Sequence, residues 1–233
     1  MISVKSWTIL VLAAGLGALA VAPAAAAENR YPTMAPLEQY RAADEAALAR
    51  SAAPPSISGG AEVLVLGAHG YETAAKGANG FVCIVERSWS DDFADPDFWN
   101  PRVRAPICFN EASARSVLPT YLQRTRWVLA GVNKAGLLDR TKAAIAAGEI
   151  KPPLPGSMCF MMSKGGDLGS DPGGPWRPHL MFFTPRAPAA AWGAGLPGSP
   201  VAGGDDGGVD PATVFMVTVG KWSDGTPAPA MKM

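Results

Sequence analysis

Only two histidines occur in the chain, and each lies beside an apolar run. His69 has Glu72 three positions later, and His179 opens the apolar run that follows it. An imidazole and a nearby carboxylate can serve as a general base or as ligands of a metal ion. If the two runs are neighbouring strands, His69, Glu72 and His179 converge into a site with two histidines and one carboxylate. These three are our candidate catalytic residues, although two unrelated polar positions at the margins of a sheet is the simpler interpretation.

The three cysteines permit one disulfide and leave one thiol over. We favour Cys83 with Cys108, because a bridge there closes a loop and contributes roughly 3 kcal/mol in the chain-entropy model. Cys83 with Cys159 across neighbouring strands, or three reduced thiols, are the alternatives. Cys159 could act as a nucleophile with His179 as its base, but its apolar neighbours favour an inert thiol. No Cys-x-x-Cys spacing occurs, which excludes a zinc ribbon.

Tryptophan is concentrated in segments that we predict to be loops. Of the six tryptophans after residue 27, five lie in or beside such loops: Trp89, Trp99, Trp176, Trp192 and Trp222. An indole in a loop either packs back on the domain or meets a ligand, which it can stack on while polar neighbours bind the rim. We therefore predict a binding site for a small molecule or a carbohydrate, made by Trp89, Trp99, Trp176 and Arg177.

Other metal-binding and catalytic patterns are weak. The methionines of the apolar runs are more typical of core packing than of a copper site. Aspartates gather at 91–97 and 205–210 and could bind calcium, but neither stretch matches an EF-hand. The chain has no G-x-S-x-G, H-E-x-x-H, Ser-x-x-Lys or phosphate-loop motif. We predict no metal site from these stretches, and no cofactor can be named.

The first 27 residues have the pattern of a signal peptide. Lys5 precedes an apolar run from Trp7 to Val21, and small residues lead to a predicted cleavage site after Ala27. We expect a soluble exported protein, periplasmic or secreted, with an uncleaved membrane anchor as the alternative. No later apolar run approaches the roughly 20 residues of a membrane span, so none is expected in the mature chain.

The charge is balanced over the chain but uneven along it. Residues 101–142 carry eight basic and two acidic side chains. This segment is either a surface for anionic partners or the solvated face of a helix pair, which is the simpler interpretation. Export makes a nucleic-acid partner unexpected.

Hydrophobic periodicity predicts an α+β fold. We expect a helix over Pro36–Arg50, a central helix pair within 110–148 with N-caps at Asn110 and Asn133, and a long loop over 88–106. The predicted strands are Ala61–Leu66, Phe81–Glu86, Ser157–Met162, His179–Phe183 and Thr213–Val219. They form a largely antiparallel sheet of about five strands, apolar on both faces and therefore covered on both sides.

The predicted organisation is a signal peptide (1–27), an N-terminal helix and linker (28–60), one α+β domain (61–222) and a flexible tail (223–233). The function we predict is a ligand-binding or structural module that uses aromatic loops. The alternative is a small hydrolase or metal-dependent enzyme centred on His69, Glu72 and His179.

Overall fold

In the computed structural model, residues 42–167, 177–204 and 208–229 are described, and their strands form a single eight-stranded sheet. The strands are β1 Glu62–Gly67, β2 Gly70–Ala75, β3 Val82–Glu86, β4 Ala105–Phe109, β5 Met158–Met161, β6 His179–Pro185, β7 Val201–Gly204 and β8 Ala212–Thr218. Across the sheet their order is β2-β1-β3-β4-β5-β6-β8-β7. Every neighbouring pair is antiparallel except β1 with β3. Mixed α and β structure around one sheet is thus confirmed, whereas the prediction of about five strands is wrong.

The three additional strands lack the local signals on which the prediction depended: β2 and β7 have no apolar run, and the apolar run of β4 contains a proline. β2 is a polar edge strand with three exposed residues, so it carries no apolar run of its own. β4 is fully buried but contains Pro106, which argues against a central strand, and it begins inside the segment predicted as a loop. β7 is a short edge strand with two glycines, a residue type that is depleted in strands. Each of these segments pairs with a neighbouring strand, although its own sequence lacks the periodicity that predicts a strand.

Five helices accompany the sheet in the described residues. They are α1 Ala42–Arg50, α2 Pro55–Ser58, α3 Glu111–Ser116, α4 Leu118–Leu129 and α5 Lys134–Ala146. The side chains of Asn110 and Asn133 accept the N–H groups of Ser113 and Gly136, so both predicted N-caps are confirmed. Pro119 lies in the first turn of α4, where its missing N–H removes no helical hydrogen bond.

Helices cover both faces of the β1–β5 part of the sheet. On one face, Ala49 of α1 and Ala52 in the turn after it are buried against a cluster that includes Val63, Cys83 and Val85. On the other face, residues of α4 pack on Leu64, Ile84, Ile107 and Phe109. We call these the α1 face and the α4 face. Two-sided coverage explains why these strands are apolar without alternation.

Cys83 and Cys108 lie directly opposite each other on β3 and β4, at disulfide distance. The structure therefore contains the pairing that we favoured. Cys159 has no disulfide partner in the structure and is buried on β5.

Described residues near both ends of the chain contact the sheet. α1, within the predicted segment 28–60, packs on the strands. Residues 221–227 form a turn closed by a bridge between Lys221 and Pro227, and Ser223 N–H donates to the Met162 carbonyl. The division into linker, domain and tail stays a prediction. The predicted signal peptide and the start of the predicted first helix lie outside the described residues. Among the described residues, no helix has the length and apolar character needed to cross a membrane.

Candidate functional site

The structure does not bring His69, Glu72 and His179 together. His69 lies in the exposed turn between β1 and β2, and Glu72 is exposed on the edge strand β2. His179 begins β6, four strands away from β1. At roughly 4.8 Å per strand this separation is about 19 Å, too far for a shared metal ion or a proton relay. The convergence expected from the sequence required β1 and β6 to be neighbours, and β3, β4 and β5 lie between them.

His179 has a partner of its own. Its ring Nδ1 lies 2.8 Å from the Arg177 carbonyl oxygen. Burial lowers the pKa of His179, which favours the neutral imidazole. Burial raises the pKa of Cys159 well above its usual value, so its thiol stays protonated and inert.

The predicted aromatic ligand site is distributed over different environments. Trp89 is fully buried, and its Nε1 donates to the Thr125 hydroxyl at 2.9 Å. Trp99 stacks on Phe98, with 5.9 Å between ring centroids. Trp176 lies outside the described residues, and Arg177 donates to the carbonyl of Pro229, 52 residues later in the chain. Trp89 thus anchors its loop to the domain, as the alternative interpretation of the loop tryptophans proposed.

A third apolar cluster explains how the loop after β3 is held. Trp89 and Phe98 from this loop pack with Val128 of α4 and Leu137 of α5. The loop therefore encloses the residues that precede it instead of leaving them in solvent.

Most of the enclosed residues are polar. Five consecutive residues from the end of β3 onward, Glu86 to Ser90, are at most 3% exposed, and two of them, Glu86 and Arg87, are ionisable. Buried charge requires a partner, because transfer of an isolated ion out of water is very unfavourable. The two faces of the sheet provide partners in different ways.

On the α1 face, Arg87 forms a buried ion pair with Glu45 of α1, with 2.9 Å between Nη2 and Oε2. Arg87 also donates from Nη1 to the Val85 carbonyl, and Glu45 accepts the Leu66 N–H. Tyr71 donates its hydroxyl to the same Val85 carbonyl at 2.6 Å. One cation and one anion are balanced here, and the pair fastens α1 to β1 and β3.

On the α4 face, Arg124 is fully buried and is held by three acceptors. Its Nη2 lies 2.6 Å from Oδ1 of Asp210, and its Nη1 donates to the carbonyls of Ser90 and Asp91. The Phe93 ring lies over the guanidinium at 4.7 Å, a cation–π contact. Arg124 therefore joins α4 to the loop after β3 and to the segment before β8.

More carboxyl groups than cations surround Arg124. Burial raises the pKa of Glu86 well above its usual value, and Asp91 raises it further. Burial and then Asp95 raise the pKa of Asp91 to about 7. Burial also raises the pKa of Asp210, although its side chain is 33% exposed and the effect of burial is weaker there than at Glu86. Carboxyl groups of this kind retain protons at pH values where exposed ones have lost them, and can act as acids.

Several buried polar atoms at the end of β3 and on Arg124 have no hydrogen-bond partner within the part of the chain that the structure describes. They are Nε of Arg124, Nε of Arg87 and the hydroxyls of Ser88 and Ser90. Unpaired polar atoms are rare in protein interiors and call for an explanation. We call Glu86, Asp91, Arg124 and Asp210 the Arg124 cluster.

The sequence does not single out the Arg124 cluster. Asp91 and Asp210 lie in two separate acidic stretches, and Arg124 lies in the basic segment 101–142. One signal was available: Glu86 and Arg87 follow a buried apolar strand without an intervening turn residue. The described residues contain no group of three His, Cys, Asp or Glu side chains arranged to hold a metal ion.

The remaining strands, β6, β7 and β8, pack chiefly on one another and on a 3-10 turn at Ala189–Trp192. Trp192 stacks on the buried ring of Phe215, with centroids 4.5 Å apart and planes 11° from parallel. Trp192 is nevertheless 40% exposed, and nearby Leu196 is 58% exposed. One face of the indole is therefore supported by the sheet while the other remains accessible.

Comparison of this chain with protein-family models, with curated proteins and with solved structures finds no match.

Proposed function

We propose that the protein is an exported ligand-binding module that presents Trp192 as its binding platform. The observation that carries this proposal is the exposed indole lying flat on Phe215. A tryptophan fixed in this way offers a rigid apolar surface at little entropic cost. Ligands with a flat apolar face match such a surface, a class that includes the rings of carbohydrates.

Two features support action outside the cytoplasm. The amino-terminal 27 residues have the pattern of a signal peptide. Cys83 and Cys108 form a disulfide in the core of the sheet, and disulfides persist mainly in oxidising compartments.

A binding role accounts for the aromatic residues better than the alternative enzyme does. The anchoring of Trp89 keeps the loop after β3 in place, while Trp192 keeps an accessible face. An enzyme centred on His69, Glu72 and His179 gains no support, since those residues are about four strands apart.

The proposal can be tested by native gel electrophoresis in gels that contain dextran, xylan or soluble peptidoglycan fragments. We expect one of these polymers to retard the wild type and the Trp192→Phe variant, and Trp192→Ala to lose the retardation. Leu154→Ala is the matched control, since Leu154 is another exposed apolar residue at 41%. It should keep the retardation.

Two results would contradict the proposal. One is the absence of retardation by every polymer, together with native mass spectra that show no retained ligand. The other is a Trp192→Ala variant that loses stability but keeps the retardation, which would make Trp192 a purely structural contact.

A further inference from the structure

The Arg124 cluster contains three carboxyl groups for one guanidinium. Glu86 is 3% exposed, and no other cation faces it among the groups that shift its pKa. Arg124 pairs directly with Asp210 and contacts Asp91 only through the main-chain carbonyl. The cluster can therefore be neutral only if some of its carboxyl groups hold protons.

The groups around the cluster strengthen this imbalance. Asp91 faces three further aspartates of its own loop, and Glu86 faces Tyr121 of α4 and Cys159 of β5, neither of which is cationic. The charged and titratable groups that bear on the cluster are Tyr71, Asp92, Asp95, Asp97, Tyr121, Cys159 and Arg186. Arg186 acts on Asp210 alone, so it does not compensate Glu86 or Asp91.

The same contacts hold two chain segments closed over the end of β3. Arg124 holds the start of segment 91–103 through the carbonyls of Ser90 and Asp91 and through the Phe93 ring, while Phe98 of the same segment packs in the third apolar cluster. It holds residues 208–211 through Asp210. Its Nε atom is buried and has no hydrogen-bond partner among the described residues, as is also true of Nε of Arg87. One side chain thus links two segments.

We propose that the Arg124 cluster is an acid-favoured latch. Residues 91–103 and 208–211 are closed on Arg124 while Glu86 and Asp91 carry protons. When these carboxyl groups lose their protons, they compete with Asp210 for the single guanidinium, and the two segments loosen. The ligand of the latch is the proton itself.

The direction of the pH dependence follows from proton linkage. Asp91 binds its proton more tightly in the closed protein, where its pKa is about 7, than in solvent, where it is 3.8. A raised pKa stabilises the closed form fully below the solvent value, and this contribution is lost as pH rises to the closed-form value. The closed form should therefore weaken between about pH 4 and about pH 7. Glu86, whose pKa is also raised, contributes in the same direction.

Hydrogen–deuterium exchange of the intact protein at pH 5 and pH 8, corrected for intrinsic exchange rates, tests the latch. Each pKa unit between closed and open forms changes the proton-linked equilibrium up to tenfold. We expect protection of residues 91–103 and 208–211 to fall at least about tenfold at pH 8 in the wild type. The Glu86→Gln and Asp91→Asn double variant should keep the pH 5 level of protection at both pH values. Asp139→Asn, a change at an exposed helical carboxylate, is the control and should behave as the wild type.

Three outcomes would overturn the latch: equal protection at both pH values in the wild type, an unchanged fall in the double variant, or an equal fall throughout α1 and β3. If the double variant does not fold, the Asp91→Asn single variant is used for the same measurement. Asp91 is only partly buried, so its replacement should leave the protein folded. That single variant should show a clearly smaller fall than the wild type.

Discussion

Two arginines are buried near the end of β3, one on each face of the sheet, and their surroundings differ. Arg87 follows β3 directly, and Arg124 reaches the same region from α4. Arg87 meets a single carboxylate, Glu45, and both side chains are almost fully buried, at 2% and 4% exposure. Arg124 meets Asp210, whose side chain is partly exposed, and lies in the field of Glu86 and Asp91 as well. The first arrangement is balanced at neutral pH, whereas the second is balanced only when protons are present.

This difference separates a structural role from a responsive one. A matched buried pair, with one carboxylate for one guanidinium, fixes the position of α1. A cluster with excess carboxyl groups must take up or release protons as pH changes, so its stability depends on conditions. The following variants test whether the two arginines differ in this way.

The largest effect is expected on the α1 face. Arg87→Met leaves Glu45 buried without its partner, and breaking a buried ion pair in this way costs about 3–5 kcal/mol. Urea unfolding at pH 7 measures this loss of the free energy of unfolding. The double variant Arg87→Met with Glu45→Gln should recover most of it, since glutamine still accepts the Leu66 N–H. A single variant as stable as the wild type would show that the pair does not fasten α1.

A smaller, pH-dependent effect is expected on the α4 face. Arg124→Met removes charged hydrogen bonds and should cost about 2 kcal/mol at pH 5. The cost should grow at pH 8, because the ionised carboxyl groups then have no cation nearby. Urea unfolding at both pH values gives the comparison. An Arg124→Met loss that is the same at pH 5 and pH 8 would place Arg124 in the same class as Arg87.

The smallest effect is expected at an exposed ion pair, Lys164 with Asp224, in which each side chain is 50% exposed. Hydrogen bonds from Lys164 and Thr226 lower the pKa of Asp224 to about 2. A lowered pKa stabilises the fold above the solvent value of 3.8 and is lost as pH falls toward 2, so it adds no slope between pH 4 and pH 8. Asp224→Asn should therefore lower Tm by a small amount that is the same at pH 4 and pH 8 in thermal scans. A Tm difference from the wild type that grows with pH, as expected for Arg124→Met, would contradict this.

Five of the eight strands and two helix starts can be predicted from the sequence, and three strands cannot. Apolar runs locate β1, β3, β5, β6 and β8, and side-chain N-caps at Asn110 and Asn133 locate two helix starts, because both signals are local. β2, β4 and β7 are not predicted because their local signals are weak. β2 is polar, β4 contains Pro106, and β7 contains two glycines.

The Arg124 cluster escapes prediction for a related reason. Arg124 and Asp210 are 86 residues apart, and no periodicity relates a polar residue on a helix to an aspartate in a distant loop. The prediction for His69 and His179 has the opposite weakness. It groups two residues of suitable chemistry, but the strand order places them four strands apart. In both cases the missing information is the topology of the sheet.

NMR titration of side-chain carboxyl carbons in the intact protein measures whether the Arg124 cluster holds protons at neutral pH. Asp91 should titrate near pH 7 and Glu86 well above its ordinary range. Titration of both groups at about pH 4, the ordinary range of a carboxyl group in solvent, would show that the cluster is ionised at neutral pH and that Arg124 has a structural role like that of Arg87.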